Sequence, residues 1–301
     1  MRAISEEFHV RSIVNDLEKT YCYVMYDFMA RIICIAAPVA GTGKTVAAVN
    51  FSAALAVFEK NTLLVDCCPE NGCLFGAKVE PPANPSGLAD VLSRGDADLS
   101  LFLETTRLDY LKILPAGTGL KQAVNHAGGA DSAADLLGRT ILSQAHDYDF
   151  IVIDTPTGVL PLAEAGLCAA EELLIPLRVD PAGAEYIEQC LFHIKGLLEK
   201  TARLKQEGRA QIRSATIVIN CCDTRTEAEA LLGPEFFKKI DGISLEVCIP
   251  EDSRLHEAYW FGKPAVCHDI ASPGATAFLE LAARWIRADQ TGKTQQKDLQ
   301  P

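Results

Sequence analysis

Short runs of consecutive apolar residues alternate along the chain with longer stretches whose apolar positions recur at helical spacing. The runs are IICIAA from Ile32, TLLVD from Thr62, LKILPA from Leu111, FIVID from Phe150, ELLIPL from Glu172, ATIVIN from Ala215 and LEVCIP from Leu245. Several are apolar at every position, which predicts strands covered on both faces. Between them lie TVAAVNFSAALAVFEK, SAADLLGRTILSQA, AEYIEQCLFHIKGLLEK and EAEALLGPEFFKKI, each long enough to be a crossover helix. Alternation of this kind predicts an α/β fold with a doubly wound, mainly parallel sheet and helices on both faces.

The two ends depart from the pattern. Residues 1–30 place Val10, Ile13, Val14, Leu17 and Tyr21 at helical spacing and read as an N-terminal helical arm. Residues 288–301 are polar and read as a disordered tail, leaving 31–287 as the α/β domain.

Composition narrows the picture. Of 301 residues, 49% are hydrophobic, enough for a sizeable core. No apolar run has the length of a membrane span, and the charged N-terminus is unlike a signal peptide. Most of the 11 cysteines fall inside apolar runs, among them Cys34, Cys67, Cys168, Cys190 and Cys248. Reduced cysteine packs there as a small hydrophobe, which points to a cytoplasmic protein. The net charge of -12 disfavours broad attraction to DNA or anionic lipid.

The candidate chemistry begins after the first run, in AAPVAGTGKT. Gly43-Lys44-Thr45 are the closing residues of a phosphate-binding loop, G-x-x-x-x-G-K-S/T, although Pro38 stands where the first glycine is expected. An apolar strand precedes the loop and a small-residue helix follows it, so backbone N–H groups from Gly41, Thr42, Gly43, Lys44, Thr45 and Val46 would surround an anion. Lys44 would supply charge to the β- and γ-phosphates and Thr45 a hydroxyl to Mg²⁺. Gly41 and Gly43 permit close backbone approach. A second Gly292-Lys293-Thr294 has neither the strand nor the helix. Asp66 and Asp154 each end an apolar run, at the sheet edge where ligands of open α/β sheets collect. They are the candidate carboxylates for Mg²⁺, and with Lys44 for catalysis.

With these elements in order, the chain resembles the ParA/MinD-type deviant Walker ATPases, P-loop NTPases of the SIMIBI type that position plasmids, chromosomes and other cargo. YDFIVIDTPTG is similar to that family's second acidic motif, and AAEELLIPLRVD to the strand after it. VINCCDTRTEAE resembles the segment passing the adenine base, which makes Asn220 the base-contact candidate. IPEDSRLHEAYWFGKPAVCHDIASPGATAFLELA carries Ile249-Pro250, Glu257-Ala258, Gly262-Lys263-Pro264 and Gly274-Ala275 in the family's order, adding Pro250 to the nucleotide contacts. The resemblance implies ATP and Mg²⁺ as cofactors, a homodimer, and a ParB-like or cargo adaptor partner.

Two departures bear on mechanism. The family loop K-G-G-x-G-K-T places its first lysine where this chain has Val39, and that lysine reaches the partner's nucleotide in a sandwich dimer. The family's D-x-D-P motif reads Asp66-Cys67-Cys68-Pro69, so a thiol replaces the carboxylate that positions water. Slow hydrolysis, or binding without turnover, is the expectation. Glu70 is the one nearby carboxylate that could substitute.

Other readings stay open. AAPVAGTGKT also resembles the loops of cobyrinate and dethiobiotin synthetase ligases, although no glutaminase domain follows. An iron–sulfur carrier is disfavoured because no C-x-x-C pair occurs. Lys195, Lys200, Arg203, Lys205, Arg209 and Arg213 form the candidate strip for weak non-specific DNA binding, with a solvated helix face as the simpler account. His146 and His256 lack metal-spaced partners, and Trp260 and Phe261 are expected to pack the last helices.

Overall fold

In a computed structural model, the chain is described over residues 30–297, apart from 38, 78–81, 95–97, 129, 145, 158–159, 179–183, 223–229, 231, 233–235 and 237–242. The N-terminal arm, Pro38 and most of EAEALLGPEFFKKI therefore lie outside the described residues.

The strands are β1 (Arg31–Ile35), β2 (Thr62–Asp66), β3 (Glu104–Thr105), β4 (Leu111–Leu114), β5 (Phe150–Asp154), β6 (Glu172–Arg178), β7 (Ser214–Asn220) and β8 (Ser244–Ile249). They form one 8-stranded sheet in the order β3-β4-β2-β5-β1-β6-β7-β8. Every pairing is parallel except that of the short edge strand β3 with β4. β3 has no apolar run to announce it and escapes a sequence reading.

The helices are α1 (Lys44–Val57), α2 (Gly72–Ala77), α3 (Leu88–Arg94), α4 (Leu120–His126), α5 (Ala130–Ser143), α6 (Leu160–Ala169), α7 (Ala184–Gln206), α8 (Ser253–Trp260), α9 (Ala265–His268) and α10 (Pro273–Lys297). Two hydrophobic layers sandwich the sheet, and alternation within each strand divides its side chains between them. Ile33, Ile35, Leu64, Val152, Leu174 and Val218 join Phe51, Leu55, Phe278 and Trp285 on one side. Ile32, Cys34, Leu63, Val65, Ile151 and Ile153 join Leu137, Leu162 and Ile194 on the other. Full burial of such a side chain is worth roughly 1.5–3 kcal/mol, and the strands read as apolar throughout because both faces are covered.

α1 is buried nearly all round, between the sheet and α10, which explains its many alanines. Its one interior amide is used twice. Asn50 donates to Val46 O at 2.8 Å and accepts from Ala265 N at 2.7 Å, tying α1 to α9. The Phe51 and Trp285 rings meet edge to face at 5.4 Å, fixing α10 on α1.

Two expectations need correction. α10 continues to Lys297, so most of the stretch expected to be a disordered tail is helical. Polar residues such as Gln and Lys are good helix formers and extend a helix already nucleated on the core. Trp260 does not pack the last helices, being 87% exposed, and Phe261, 56% exposed, meets α9 at His268 without being buried. Ala258 and Tyr259 take the inward positions of α8, leaving Trp260 outside and Phe261 stacked on His268 at 5.7 Å.

Candidate nucleotide site

Parallel register brings the site together. β1 and β2 both pair with β5, so Ile35 and Asp66 flank Asp154 at the carboxyl edge of the sheet. The two carboxylates predicted from separate runs are thus neighbours. The loop from β1 ends at Gly43, the residue before α1, whose left-handed backbone (φ 89°) turns the chain into the helix. A Cβ at Gly43 would lie 2.6 Å from Asn220 Nδ2, so a side chain there would displace the Asn220 amide as well as strain the backbone. Gly41 is also left-handed, at φ 76°.

Asn220, expected from the resemblance to meet the base, stands at the end of β7 and donates from Nδ2 to Thr42 O at 2.5 Å. It braces the phosphate loop. Val46 is half-buried in the first turn of α1, and Pro250 directly follows β8, half-buried on the same sheet edge. Val39 is half-buried and its carbonyl accepts from Thr42 Oγ1 at 3.5 Å.

Lys44 is buried and its Nζ donates to Thr157 Oγ1, in the loop after β5. Burial lowers the Lys44 ammonium below its ordinary value, with the Asp154 charge working against the shift. Thr45 Oγ1 donates to Asp154 Oδ2 at 2.7 Å. The same oxygen accepts from the Cys68 and Cys73 thiols, each at 3.4 Å. Asp154 Oδ1, equally buried, has no hydrogen-bond partner. Burial raises the Asp154 carboxyl, and these three donors and Lys44 oppose the rise.

Asp66 holds a different post. Its Oδ1 accepts from Cys68 N at 2.8 Å and its Oδ2 from Cys73 N at 2.9 Å, so it pins both ends of the loop between β2 and α2. Burial and then the Asp154 charge push its carboxyl up to about 8. Asn71, left-handed at φ 53°, holds the same loop from the other side through Gly117 N at 3.0 Å. Tyr259 on α8 donates to Gly72 O at 3.2 Å.

Asp66, Cys73 and Asp154 each present a ligand atom within 4.8 Å of the others. A partnerless carboxylate oxygen at the end of a strand beside Thr45 suits a cation, and the Thr45 hydroxyl and the Asp154 carboxylate are oxygen ligands that fit Mg²⁺. Glu70 does not face this pocket: it is exposed and lies 4.0 Å from Lys121. His146 and His256 are exposed. The sequence reading gave Cys73, Thr157 and Tyr259 no role in the nucleotide site. Thr157 lies within YDFIVIDTPTG and Tyr259 within the C-terminal family stretch, but only folding brings the three residues to Asp154, Lys44 and Gly72.

A family model described as an AAA domain matches residues 30–206. The chromosome partitioning protein ParA of Myxococcus xanthus is 32% identical over 266 residues, covering 87% of this chain and 89% of that protein. The chain belongs to the ParA/MinD-type P-loop ATPase family. Among solved structures, the septum site-determining protein MinD of Pyrococcus horikoshii OT3, complexed with Mg-ADP, superposes with a TM-score of 0.65 at 28% identity. That match covers 84% of this chain and 95% of the MinD chain. Cobyrinic acid a,c-diamide synthase of Mycobacterium smegmatis, with bound ADP and magnesium, gives a TM-score of 0.69 at 23% identity and covers 88% of this chain and 97% of its own, a likeness of fold.

The candidate DNA strip of this ParA/MinD-type chain is largely engaged. Lys200 and Arg209 pair with Glu164 at 2.9 and 2.8 Å, Arg213 with Glu171 at 3.3 Å and Arg203 with Glu207 at 3.9 Å. Lys195 and Lys205 are exposed. No helix among the described residues is long and apolar enough to cross a membrane.

Proposed function

We propose that this chain is a ParA-like nucleotide switch serving partition or cargo positioning, which binds ATP with Mg²⁺ and turns it over slowly. The observation that carries the reading is the Cys68 thiol donating to Asp154 in the place of the family's second carboxylate. A neutral thiol already bonded to the neighbouring aspartate has no strong acceptor to offer an attacking water.

Each residue has a stated task. The backbone of Gly41 to Val46 and the start of α1 would cradle the phosphates, with Asn220 holding Thr42 in place. Asn220 and Pro250 would flank the base. Thr45 and Asp154 would hold Mg²⁺, with Asp66 behind them, and the ion supplies charge neutralisation across the phosphate oxygens when bound. Lys44 must exchange its Thr157 partner for a phosphate oxygen. That exchange frees the loop after β5, while Asp66 relays the state of the pocket to the loop before α2. Phosphate occupancy is thereby converted into loop order. The name of the Myxococcus relative supports partition over the ligase reading, for which the support is the shared fold and the likeness of the phosphate loop.

The test combines nucleotide binding with turnover. Wild type should bind ATP with Mg²⁺, and Lys44→Ala should weaken binding by about 10- to 100-fold, the worth of a charge-assisted hydrogen bond of roughly 1.5–3 kcal/mol. Cys68→Asp should raise hydrolysis by about 10-fold or more, since positioned bases contribute about 10²–10⁴-fold. Equal turnover by wild type and Cys68→Asp would sink the slow-hydrolysis reading.

A further inference from the structure

The Cys73 thiol has no task in nucleotide turnover, and a thiol is unsuited to Mg²⁺, which takes hard oxygen ligands. Cys73 is fully buried at the start of α2, and its Sγ lies 3.4 Å from Asp154 Oδ2. An Asp66 carboxylate oxygen completes a set of three ligand atoms within 4.8 Å of one another. The other oxygen of Asp154 is buried without a hydrogen-bond partner, as expected of a carboxylate built to meet a cation.

We propose that the floor of this pocket is a site for a thiophilic divalent cation such as Zn²⁺, held by Asp66, Cys73 and Asp154 and taken up without nucleotide. In tetrahedral zinc sites, bonds of ~2.1 Å to oxygen and ~2.3 Å to sulfur separate the two ligand atoms by about 3.6 Å. The observed 3.4 Å between Cys73 Sγ and Asp154 Oδ2 needs little adjustment. The orienting contacts are also present, because Asp66 is fixed by Cys68 N and Cys73 N, and Asp154 by Thr45 Oγ1. Binding releases to solvent the Cys73 proton and any proton held by the two carboxyls. Two carboxylates and one thiolate then balance the cation together with Lys44, whose charge already acts on Asp154. Three protein ligands leave a fourth position open. Because Asp154 serves both ions, the thiophilic cation excludes Mg²⁺ from the phosphate loop.

The test uses the full chain, stripped with a chelator, reduced and free of nucleotide. Cd²⁺ titration should give thiolate-to-metal charge-transfer absorption saturating at one ion per chain. Zn²⁺ should compete with a chromophoric chelator. Cys73→Ser should remove the absorption and weaken Zn²⁺ by about 10-fold or more, whereas Cys168→Ser, on α6, should change neither. Zn²⁺ should also raise the thermal-unfolding midpoint of wild type, a readout that needs no variant. Absence of the absorption, equal Zn²⁺ affinity in folded Cys73→Ser, or an unmoved midpoint would each overturn the proposal. Since no arm contains ATP, failure here is distinguishable from failure of the nucleotide reading.

Discussion

Asp154 concentrates the chemistry of this chain in one carboxylate. One oxygen takes the Thr45 hydroxyl and two thiols while the other takes nothing. Such a group is costly to ionise without a cation, and so is its neighbour Asp66, pushed up to about 8 by burial and by Asp154. The sign of the linkage follows. In the unfolded chain Asp66 titrates near 4, so between that pH and about 8 the folded state binds its proton more tightly. The stabilisation is complete below the unfolded value and is lost as pH rises through the folded one. Thermal unfolding of the nucleotide- and metal-free chain should therefore show a higher midpoint at about pH 5.5 than at about pH 8.5. Asp66→Asn should flatten the slope, and a midpoint that rises over that interval would contradict this account.

Among the elements, α1 and α10 carry the site from below. Lys44, Thr45 and Asn50 all lie on α1, and α10 closes the layer over it. Trp285 is the joint: 5% exposed, edge-on to Phe51, with its carbonyl accepting from Arg31 Nη1 at 2.6 Å and its ring under the same guanidinium. Trp285→Ala should destabilise the chain by about 3–5 kcal/mol in denaturant titration. A cost below about 1 kcal/mol would mean that α10 is not part of the cooperative core. At the other end α8 leans on α2 so closely that a Cβ at Gly76 would lie 2.8 Å from the Tyr259 ring. Movement of the loop after Asp66 is therefore coupled to α8 by contact as well as by the Tyr259 hydrogen bond.

For the whole molecule, charge governs both association and DNA binding. Val39 carries no charge to reach a facing nucleotide, so ATP should drive little dimerisation of wild type. Val39→Lys should shift the ATP-loaded chain toward dimer by size-exclusion with light scattering. An ATP-dependent wild-type dimer as strong as that of Val39→Lys would refute the expectation. The net charge of -12 and the pairing of Lys200, Arg203, Arg209 and Arg213 leave Lys195 and Lys205 as exposed cations of the strip. Any DNA binding should then be weak, with a log–log salt slope of about 2 or less, near 0.9 per phosphate contacted. A slope of about 5 would require a basic surface elsewhere.

Much of this protein is written locally. Uninterrupted apolar runs set β1, β2 and β5, because a strand covered on both faces has no polar side to show. Gly41 and Gly43 announce the phosphate loop, since the left-handed turn into α1 excludes other side chains. Asp66 and Asp154 are legible as strand-end carboxylates. Their division of labour is not: parallel register sets them side by side, and then one pins a loop while the other keeps a bare oxygen. Cys68 is marked in the sequence by what it replaces, whereas Cys73, Thr157 and Tyr259 gain a role only from distant partners. The short antiparallel β3 and the extension of α10 to Lys297 likewise depend on neighbours that supply hydrogen bonds or a nucleated helix. Periodicity and backbone preference act over a few residues and so can be read along the chain. Contacts between Lys44 and Thr157, or Cys73 and Asp154, join residues far apart in sequence, and only the packed sheet and its covering helices bring them within bonding distance.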